Sequence, residues 1–197
     1  MKYILYIILI FMLSGCTGDR SARTPDDGQG ARLRTETELP LDEATPAEVV
    51  IGQASTPLLD DSASRVENIN IACGSIDGLS IYPGGSFSFN DTVGRRTEAN
   101  GYGDAPVLVN GHKEEGCGGG VCQVSSTLYM AALDAGLQID ERHSHSESVA
   151  YAPKGMDATV VFGEKDLVFT NSTDKVITLS VWTDGSDVFS SITQKSS

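Results

Sequence analysis

The sequence predicts an α+β fold in which one or two helices pack on a mostly antiparallel sheet. Residues 121–135 repeat apolar side chains at helical spacing, and several shorter segments are rich in β-branched residues and separated by turn signals. Residues 17–64 differ from both, because they contain ten acidic residues, four of the seven prolines and no aromatic residue. Such a composition is typical of a disordered tether. We therefore expect a single compact domain over residues 65–197, preceded by a linker over residues 16–64.

The first fifteen residues have the features of a secretory signal peptide. Lys2 precedes an apolar run from Tyr3 to Leu13, which is shorter than the roughly 20 residues that a membrane-spanning helix needs. The run ends at Leu-Ser-Gly-Cys, which resembles the lipobox of bacterial lipoproteins. That resemblance implies cleavage before Cys16, acylation of Cys16 and a membrane-anchored protein of the bacterial cell envelope, outside the cytoplasm. An ordinary signal peptide, with Cys16 as a bystander, is the alternative.

The formal net charge of the 197-residue chain is −13. Nucleic acid and anionic lipid both attract proteins through basic surfaces. The acidic balance therefore excludes a nucleic-acid partner held by bulk electrostatics, and we expect small polymers or peptides that are recognised by local contacts.

The domain is predicted to begin with a short helix and two strands. Residues 64–67 fit a capping box, apolar residues follow at helical spacing, and Gly74 is placed to end the helix. Residues 79–90 alternate on both sides of a Pro-Gly-Gly turn and predict two strands. Residues 90–104, rich in Gly, Asn, Asp and Arg, predict a long surface loop, and residues 105–111 predict a brief strand.

A second helix and three strands complete the predicted domain. One stripe of the helix is apolar, and Gly136 is a natural end to it; the stripe contains Val124, Leu128, Ala131 and Ala135. The strands are predicted at "DATVVFG" from residue 157, "DLVFTN" from residue 166 and "VITLSVWT" from residue 176.

The start of the second helix is the candidate site of chemistry. Gly118, Gly119 and Gly120 leave the backbone free to adopt unusual conformations and to approach a ligand. Cys122 then falls in the first turn of the helix, where free N–H groups and the helix dipole favour an anion. Because helix N-termini lower the pKa of cysteine, we expect a reactive thiolate beside amide donors suited to an oxyanion.

The cysteine count supports a free thiol at this position. Without the acylated Cys16, three of the four cysteines remain, so one of them has no partner within the chain. We expect a disulfide between Cys73 and Cys117 and a free thiol at Cys122. A buried or disulfide-bonded Cys122 is the alternative that is commoner in exported proteins.

A thiolate nucleophile usually works with a histidine, and the chain has three. His143 and His145 lie two residues apart in "ERHSHS", so both would face one site if the segment is extended. We take both as candidates, with His145 favoured, and interpret His112 as a surface or structural residue.

Seven motifs, found in order over residues 65 to about 180, resemble the VanW domain, a family named from glycopeptide-resistance gene clusters. They are "RVENINIA", "YPGGSFSFN", "VG" with "GY", "GGGVCQVSSTLYMAAL", "ERHSHS", "GMDATVVFG" and "DLVFTN". The resemblance implies an exported cell-envelope protein, and some proteins with this domain are peptidoglycan L,D-transpeptidases that use cysteine.

By this resemblance, Cys122 and His145 match the signature cysteine and histidine. Three further residues match motif positions and receive supporting roles, namely Gln123, Ser125 and Asp157. Cys117 departs from the family pattern, which leaves either a stabilising disulfide or redox control open for it.

The leading functional hypothesis is acyl transfer between peptidoglycan stem peptides through a thioester on Cys122. The glycine loop and Gln123 would stabilise the oxyanion, His145 would move the proton, and no cofactor is expected. Three residues are candidates for binding substrate, of which the two arginines suit a terminal carboxylate; they are Arg142, Arg96 and Ser125.

Two other classes of function remain open. A module that only binds stem peptides or a glycopeptide would use the same groove with an inert Cys122. A zinc site would combine four residues of the right ligand types, although an oxidising compartment disfavours it; these are His112, Cys117, Cys122 and either His143 or His145.

Overall fold

The computed structural model describes residues 47–109 and 112–196. The predicted signal peptide, the predicted acylation site Cys16 and the linker up to residue 46 lie outside these described residues. In chain order the elements are β1 (Glu48–Pro57), α1 (Ala63–Ile76), β2 (Ser80–Ile81), β3 (Ser86–Ser88), α2 (Phe89–Val93), a 3-10 helix (Glu98–Asn100), β4 (Asp104–Val109), β5 (His112–Cys117), α3 (Val121–Asp134), β6 (Gln138–Glu141), β7 (Val168–Thr170), β8 (Ile177–Thr183) and β9 (Asp187–Lys195).

The main sheet has the strand order β1-β9-β8-β2, and all its pairings are antiparallel. Side chains alternate across a strand, so one face of β8 is buried through Ile177, Leu179 and Val181. Helix α1 packs on β8, whereas α3 packs on β1 and β9. The predicted α+β fold with an antiparallel sheet is therefore confirmed.

Two smaller sheets bring the remaining strands together. One has the order β3-β7-β6, and the rings of Phe87 and Phe169 stack across it with centroids 4.8 Å apart. The other is the hairpin of β4 and β5, in which Asp104 pairs with Cys117. This hairpin ends directly before the glycines, so it delivers the chain to the start of α3.

The predicted linker ends earlier than residue 64. Residues 48–57 form β1, an edge strand of the main sheet that pairs along its length with β9. Its Gly52 lies so close to α3 that a Cβ there would be 2.4 Å from the carbonyl oxygen of Ala131. The acidic, proline-containing composition of residues 17–64 as a whole hid this short stretch, which contains Val49, Val50 and Ile51.

Helix α1 begins and ends at residues other than those predicted. Its N-cap is Ser62, and the hydroxyl of Ser64 instead donates to the carbonyl oxygen of Asp104 at 2.6 Å. Gly74 lies inside the helix, which continues to Ile76 because that side chain is fully buried in the core.

The strand predicted at residues 157–163 is absent, and only Val161 makes an isolated bridge, with Lys165. The backbone of Ala158 is bonded elsewhere: its N–H and its C=O both form hydrogen bonds with serine hydroxyls of α3. The predicted loop at residues 90–104 also contains regular structure, since it includes most of α2 and the 3-10 helix.

The other predicted elements are confirmed, including the strands of the segments that start at residues 79, 105, 166 and 176 and the helix α3. Within the described residues, no helix has the length and apolar character needed to cross a membrane.

Candidate active site

The three glycines form the tight turn that joins β5 to α3. Gly118 has φ +84 and Gly120, the N-cap of α3, has φ +106, both in the left-handed region that glycine tolerates. Gly119 has no room for a side chain, because a Cβ would lie 2.7 Å from the carbonyl oxygens of Ala105 and Pro106. The predicted conformational freedom is therefore used at Gly118 and Gly120, whereas Gly119 is needed for the close approach of the backbone.

The turn leaves amide donors free at the start of α3. Among the described residues, no acceptor is bonded to the N–H groups of Gly119, Gly120 and Cys122. Unpaired N–H groups at a helix N-terminus favour negative charge. The thiol of Cys122 lies in this same first turn.

The Cys122 thiol is half-buried and lies against the segment that follows Asp157. Its Sγ is 3.7 Å from Oγ1 of Thr159 and 3.6 Å from the carbonyl oxygen of Val160. Burial raises the pKa of the thiol, but hydrogen bonds with His145 and with the backbone of Val160 outweigh it and bring the pKa below the usual range. The balance favours a thiolate.

His145 connects the thiol to a carboxylate. Its Nδ1 lies 2.7 Å from Oδ2 of Asp157, which orients the ring so that Nε2 is left for Cys122. Burial lowers the pKa of His145, but its hydrogen bonds with Cys122 and Asp157 and their negative charges outweigh burial and raise it. Asp157 has a lowered pKa, because hydrogen bonds from His145 outweigh the effect of its burial. The three side chains therefore favour a thiolate, an imidazolium and a carboxylate in sequence.

Arg142 holds the carboxylate of Asp157 and has no place in the cavity at Cys122. Its Nη2 pairs with Oδ1 of Asp157 at 3.0 Å, and its Nε donates to the carbonyl oxygen of the same residue at 2.6 Å. The expectation that Arg142 binds substrate is therefore corrected: its Nε and Nη2 bond to Asp157 and to the carbonyl oxygen of Gly155, and the residue does not line the cavity.

Ser125 is buried and holds the backbone beside the site. Its hydroxyl donates to the carbonyl oxygen of Ala158 at 2.7 Å, and the Ala158 amide donates to the hydroxyl of Ser126 at 2.9 Å. The prediction of substrate binding by Ser125 is wrong, since its side chain has no exposed surface. These bonds attach residues 157–160 to α3 and so bring Asp157 and Thr159 to Cys122.

Gln123 is a brace and not an oxyanion donor. Its Nε2 donates to Oγ1 of Thr56 at 3.1 Å and to the carbonyl oxygen of Pro57 at 2.9 Å, both at the end of β1. Its Oε1 accepts from Nη2 of Arg65 at 3.0 Å. Because both ends of its buried amide are occupied, the predicted oxyanion role is corrected.

His143 faces away from the thiol, contrary to the prediction that both histidines meet one site. Its Nε2 lies 2.8 Å from Oε1 of Glu141, and the ring is well exposed. β6 ends at Glu141, so the simple alternation of a strand does not continue through His145.

A cavity of about 680 Å³ opens at Cys122 and His145, a size usual for ligand sites. All three glycines of the turn line this cavity. Arg96, one of the residues predicted to bind substrate, also lines it. Nη1 of Arg96 donates to Oδ1 of Asn90 at 2.7 Å and to the carbonyl oxygen of Gly94 at 2.8 Å.

The described cysteines, Cys73, Cys117 and Cys122, are all free thiols, which contradicts the predicted disulfide between Cys73 and Cys117. Cys73 is buried in the core on α1, where burial and Asp77 raise its pKa to about 12. The Cys117 thiol donates to the carbonyl oxygen of Tyr102 at 3.3 Å. The described residues also contain no cluster of three or more His, Cys, Asp or Glu arranged to hold a metal ion.

Sequence reasoning missed three residues that the structure brings to the cavity, namely Arg65, Tyr151 and Thr159. Burial raises the pKa of the Tyr151 hydroxyl, which bonds to Ser126 and stays neutral. Arg65 begins one of the family-like motifs, but nothing local distinguishes it from a solvated charge. Its position depends on a contact with Gln123, 58 positions further along the chain.

Comparisons with known proteins match most of the domain in sequence. The family model VanW, described as "VanW like protein", matches residues 64–193. The uncharacterized protein YoaR of Bacillus subtilis (strain 168) is 46% identical over 127 residues, which cover 64% of this chain and 42% of YoaR. The vancomycin B-type resistance protein VanW of Enterococcus faecalis (strain ATCC 700802 / V583) is 34% identical over 124 residues, covering 60% of this chain and 44% of that protein.

The chain thus spans less than half the length of these curated relatives. No solved structure matches it. The family match extends over α1, the glycine turn and the Cys122, His145 and Asp157 positions, and it starts after β1. The chain belongs to the VanW family.

Proposed function

We propose that this protein is a cysteine acyltransferase of the cell envelope that joins peptidoglycan stem peptides, an L,D-transpeptidase forming 3–3 cross-links. The observation that carries the proposal is the hydrogen-bonded series Cys122, His145 and Asp157 at the wall of an open cavity. A nucleophile, a base within reach and a third group that orients the base are the parts that covalent acyl transfer requires.

In the first step, the Cys122 thiolate attacks the carbonyl carbon of the third residue of a donor stem peptide. The carbonyl oxygen becomes an oxyanion, for which the free N–H groups of Gly120 and Cys122 are suitable donors. The bond to the terminal D-Ala nitrogen then breaks while the His145 imidazolium gives that nitrogen its proton. Free D-Ala leaves, and a thioester on Cys122 remains.

In the second step, a side-chain amine of a neighbouring stem peptide attacks the thioester. Neutral His145 takes the proton from the attacking nitrogen, the carbon–sulfur bond breaks, and Cys122 returns as the thiolate. The ion pair with Asp157 keeps the imidazole in the tautomer that both proton transfers need. Water in place of the amine would make the reaction a carboxypeptidase reaction.

The proposed location is outside the cytoplasm, anchored to a membrane of the bacterial cell envelope. The lipobox-like sequence ending at Cys16 supports a lipid anchor, and residues 17–46 would then separate the domain from the membrane. A relative that is named a vancomycin resistance protein supports a role at the cell wall.

The test is intact-mass spectrometry of the purified protein after incubation with the tetrapeptide L-Ala-γ-D-Glu-L-Lys-D-Ala or its diaminopimelate counterpart. We expect an acyl adduct equal to the tripeptide, located on Cys122 by peptide mapping, together with release of D-Ala. Cys122→Ala abolishes both signals.

Cys117→Ala is the matched control, because this second free thiol also lines the cavity but donates to the carbonyl oxygen of Tyr102. It should acylate at the rate of the wild type. Absence of adduct and of D-Ala release with both peptides, combined with a Cys122 thiol that is inert to alkylation, would replace the enzyme by a module that only binds stem peptides or a glycopeptide.

A further inference from the structure

The wall of the cavity at Cys122 is basic although the chain is acidic. The chain contains 14 basic and 27 acidic residues. The cavity reverses this balance, since Arg65, Arg95 and Arg96 line it while Asp60 is the one carboxylate in its lining among the described residues. A local excess of positive charge on an acidic protein indicates recognition of an anion.

Arg96 lies in this wall without an ionic partner among the described residues. Its Nη1 donates to two neutral oxygens, those of Asn90 and Gly94, and its Cζ lies 5.5 Å from the centroid of the Phe89 ring. Its buried Nη2 has no hydrogen-bond partner. Burial lowers the pKa of Arg96, and among the negative charges that raise it the largest effect is that of Cys122. This guanidinium therefore loses solvation without gaining the bidentate carboxylate that suits it.

Arg65, on the first turn of α1, also has a buried nitrogen without a hydrogen-bond partner. Its Nη2 donates to Gln123 at 3.0 Å and its Nη1 to the carbonyl oxygen of Pro106 at 3.4 Å, while its buried Nε has no partner. The part of the chain that the structure describes supplies no ion pair for it either.

The glycine turn packs against both arginines, which line the same cavity. A Cβ on Gly118 would lie 2.7 Å from the Cβ of Arg96, and a Cβ on Gly120 would lie 3.1 Å from the Cγ of Arg65. Each arginine therefore packs against one end of the turn that leads into Cys122. Two guanidinium groups so held, with their charges unpaired, are preorganised for one anionic group.

From this arrangement we infer that Arg65 and Arg96 form a subsite for the terminal carboxylate of the donor peptide. This inference rests on the proposed function for the identity of the peptide. In a stem tetrapeptide, the terminal D-Ala that follows the attacked carbonyl carries the carboxylate. The Cα of this D-Ala is about 3.8 Å from the Cα of the acylated residue. Both arginines line the cavity at Cys122, and each has one nitrogen without a hydrogen-bond partner, Nε in Arg65 and Nη2 in Arg96.

The subsite accounts for the choice of donor. A tetrapeptide presents its carboxylate one residue beyond the attacked bond, whereas in a pentapeptide that position is a neutral peptide bond. A neutral group would leave two partly buried guanidinium groups without an ionic partner, which is the costly outcome for a charged site. The domain therefore selects tetrapeptide over pentapeptide donors.

The experiment measures binding in a Cys122→Ser background, which removes the chemistry and keeps the cavity. Calorimetry compares L-Ala-γ-D-Glu-L-Lys-D-Ala with the same peptide ending in a carboxamide. We expect the acid to bind at least about tenfold more tightly, as for charge-assisted hydrogen bonds. Arg65→Gln or Arg96→Gln should weaken the acid about tenfold and the amide less than about twofold, which collapses the difference between them.

Lys154→Gln removes an exposed positive charge outside the cavity and should change neither affinity. Arg96→Lys keeps the charge but loses the planar fork, and should give an intermediate result if Arg96→Gln does not fold. Equal binding of acid and amide to the Cys122→Ser protein, no binding of the acid at millimolar concentration, or equal losses for both peptides in the arginine variants would overturn the inference. Because binding needs no thiol, discrimination without acylation would disprove the transferase alone.

Discussion

One oxygen of Asp157 holds His145 twice: Oδ2 accepts from the backbone nitrogen and lies on the ring Nδ1, both at 2.7 Å. The bond to the backbone nitrogen fixes the position of the His145 main chain, and the bond to Nδ1 fixes the orientation of its ring. The other oxygen is held by Arg142 at 3.0 Å. A histidine fixed at both its backbone and its ring presents Nε2 to Cys122 without further ordering, which is the preorganisation that proton transfer requires.

The reactivity of Cys122 should depend on His145 and not on His143. At pH 7, His145→Ala should slow alkylation of Cys122 by iodoacetamide at least about tenfold, because burial then raises the thiol pKa without the opposing hydrogen bond. His143→Ala is the matched control, since that exposed ring bonds only to Glu141. Equal rates in wild type and His145→Ala would contradict the ion pair.

The pH profile of alkylation follows from the same shift. The pKa of Cys122 lies below its usual range, so the alkylation rate of Cys122 should fall with decreasing pH at a lower pH than for an ordinary cysteine. In His145→Ala the midpoint should move to alkaline pH. Cys73, with a pKa of about 12, should remain unmodified at about pH 9 in the native protein. Peptide mapping of the alkylated cysteines at each pH separates the three thiols.

Asp157→Asn should reduce D-Ala release more than about 100-fold, because an amide cannot keep the tautomer that leaves Nε2 basic. Arg142→Gln should give a smaller loss of roughly 10-fold, since Asp157 keeps its bonds to His145 but loses its ionic anchor. Steady-state rates with the stem tetrapeptide measure both. A loss in Arg142→Gln larger than that in Asp157→Asn would assign Arg142 a direct function instead.

Gly119→Ala should disturb the turn, because the new Cβ would meet the carbonyl oxygens of Ala105 and Pro106 at 2.7 Å. We expect a loss of about 1–3 kcal/mol in the free energy of unfolding. Alkylation of the Cys122 thiol should also be slower. Gly74→Ala is the control, since Gly74 is inside α1 and a Cβ there would meet nothing within 4 Å. That change should stabilise the protein by about 0.5–1 kcal/mol. Urea unfolding gives both values.

Strand β1 should contribute to stability although it precedes the family match. Thr56→Val removes a buried hydroxyl bonded to Thr127 at 2.7 Å and to Gln123 at 3.1 Å. The expected cost is about 1–3 kcal/mol, because the two partners stay buried without it. Ser55→Ala, on the exposed face of the same strand, should change the free energy of unfolding by less than about 0.5 kcal/mol. Equal changes in thermal unfolding for Thr56→Val and Ser55→Ala would show that β1 does not unfold cooperatively with the rest of the domain.

Much of the fold was predictable because its signals are local. The helix α3, its buried stripe of Val124, Leu128 and Ala131 and its glycine start follow from spacing alone. The segment 157–163 shows where this reasoning stops. Its β-branched residues favour a strand, but the hydroxyls of Ser125 and Ser126 bind its backbone at Ala158, and a tertiary contact overrides a local preference.

The candidate site was predictable in its nucleophile and less so in its partners. Cys122 stands out by its position at a helix start, and His145 and Asp157 by their motifs. Gln123, Ser125 and Arg142 stand in equally prominent motifs, yet they brace β1, residues 157–160 and Asp157 respectively. Membership of a motif therefore does not indicate whether a side chain faces the cavity or braces a neighbouring segment.

The sequence by itself determined the α+β class, the family and the cysteine at the start of α3, because composition, periodicity and motif order are properties of neighbouring residues. Only the tertiary structure decided that β1 belongs to the sheet, that His145 and not His143 meets the thiol, and that Arg65 joins Arg96 beside it. Each of these depends on contacts between distant segments, where packing and hydrogen bonds choose among side chains that local spacing leaves equivalent.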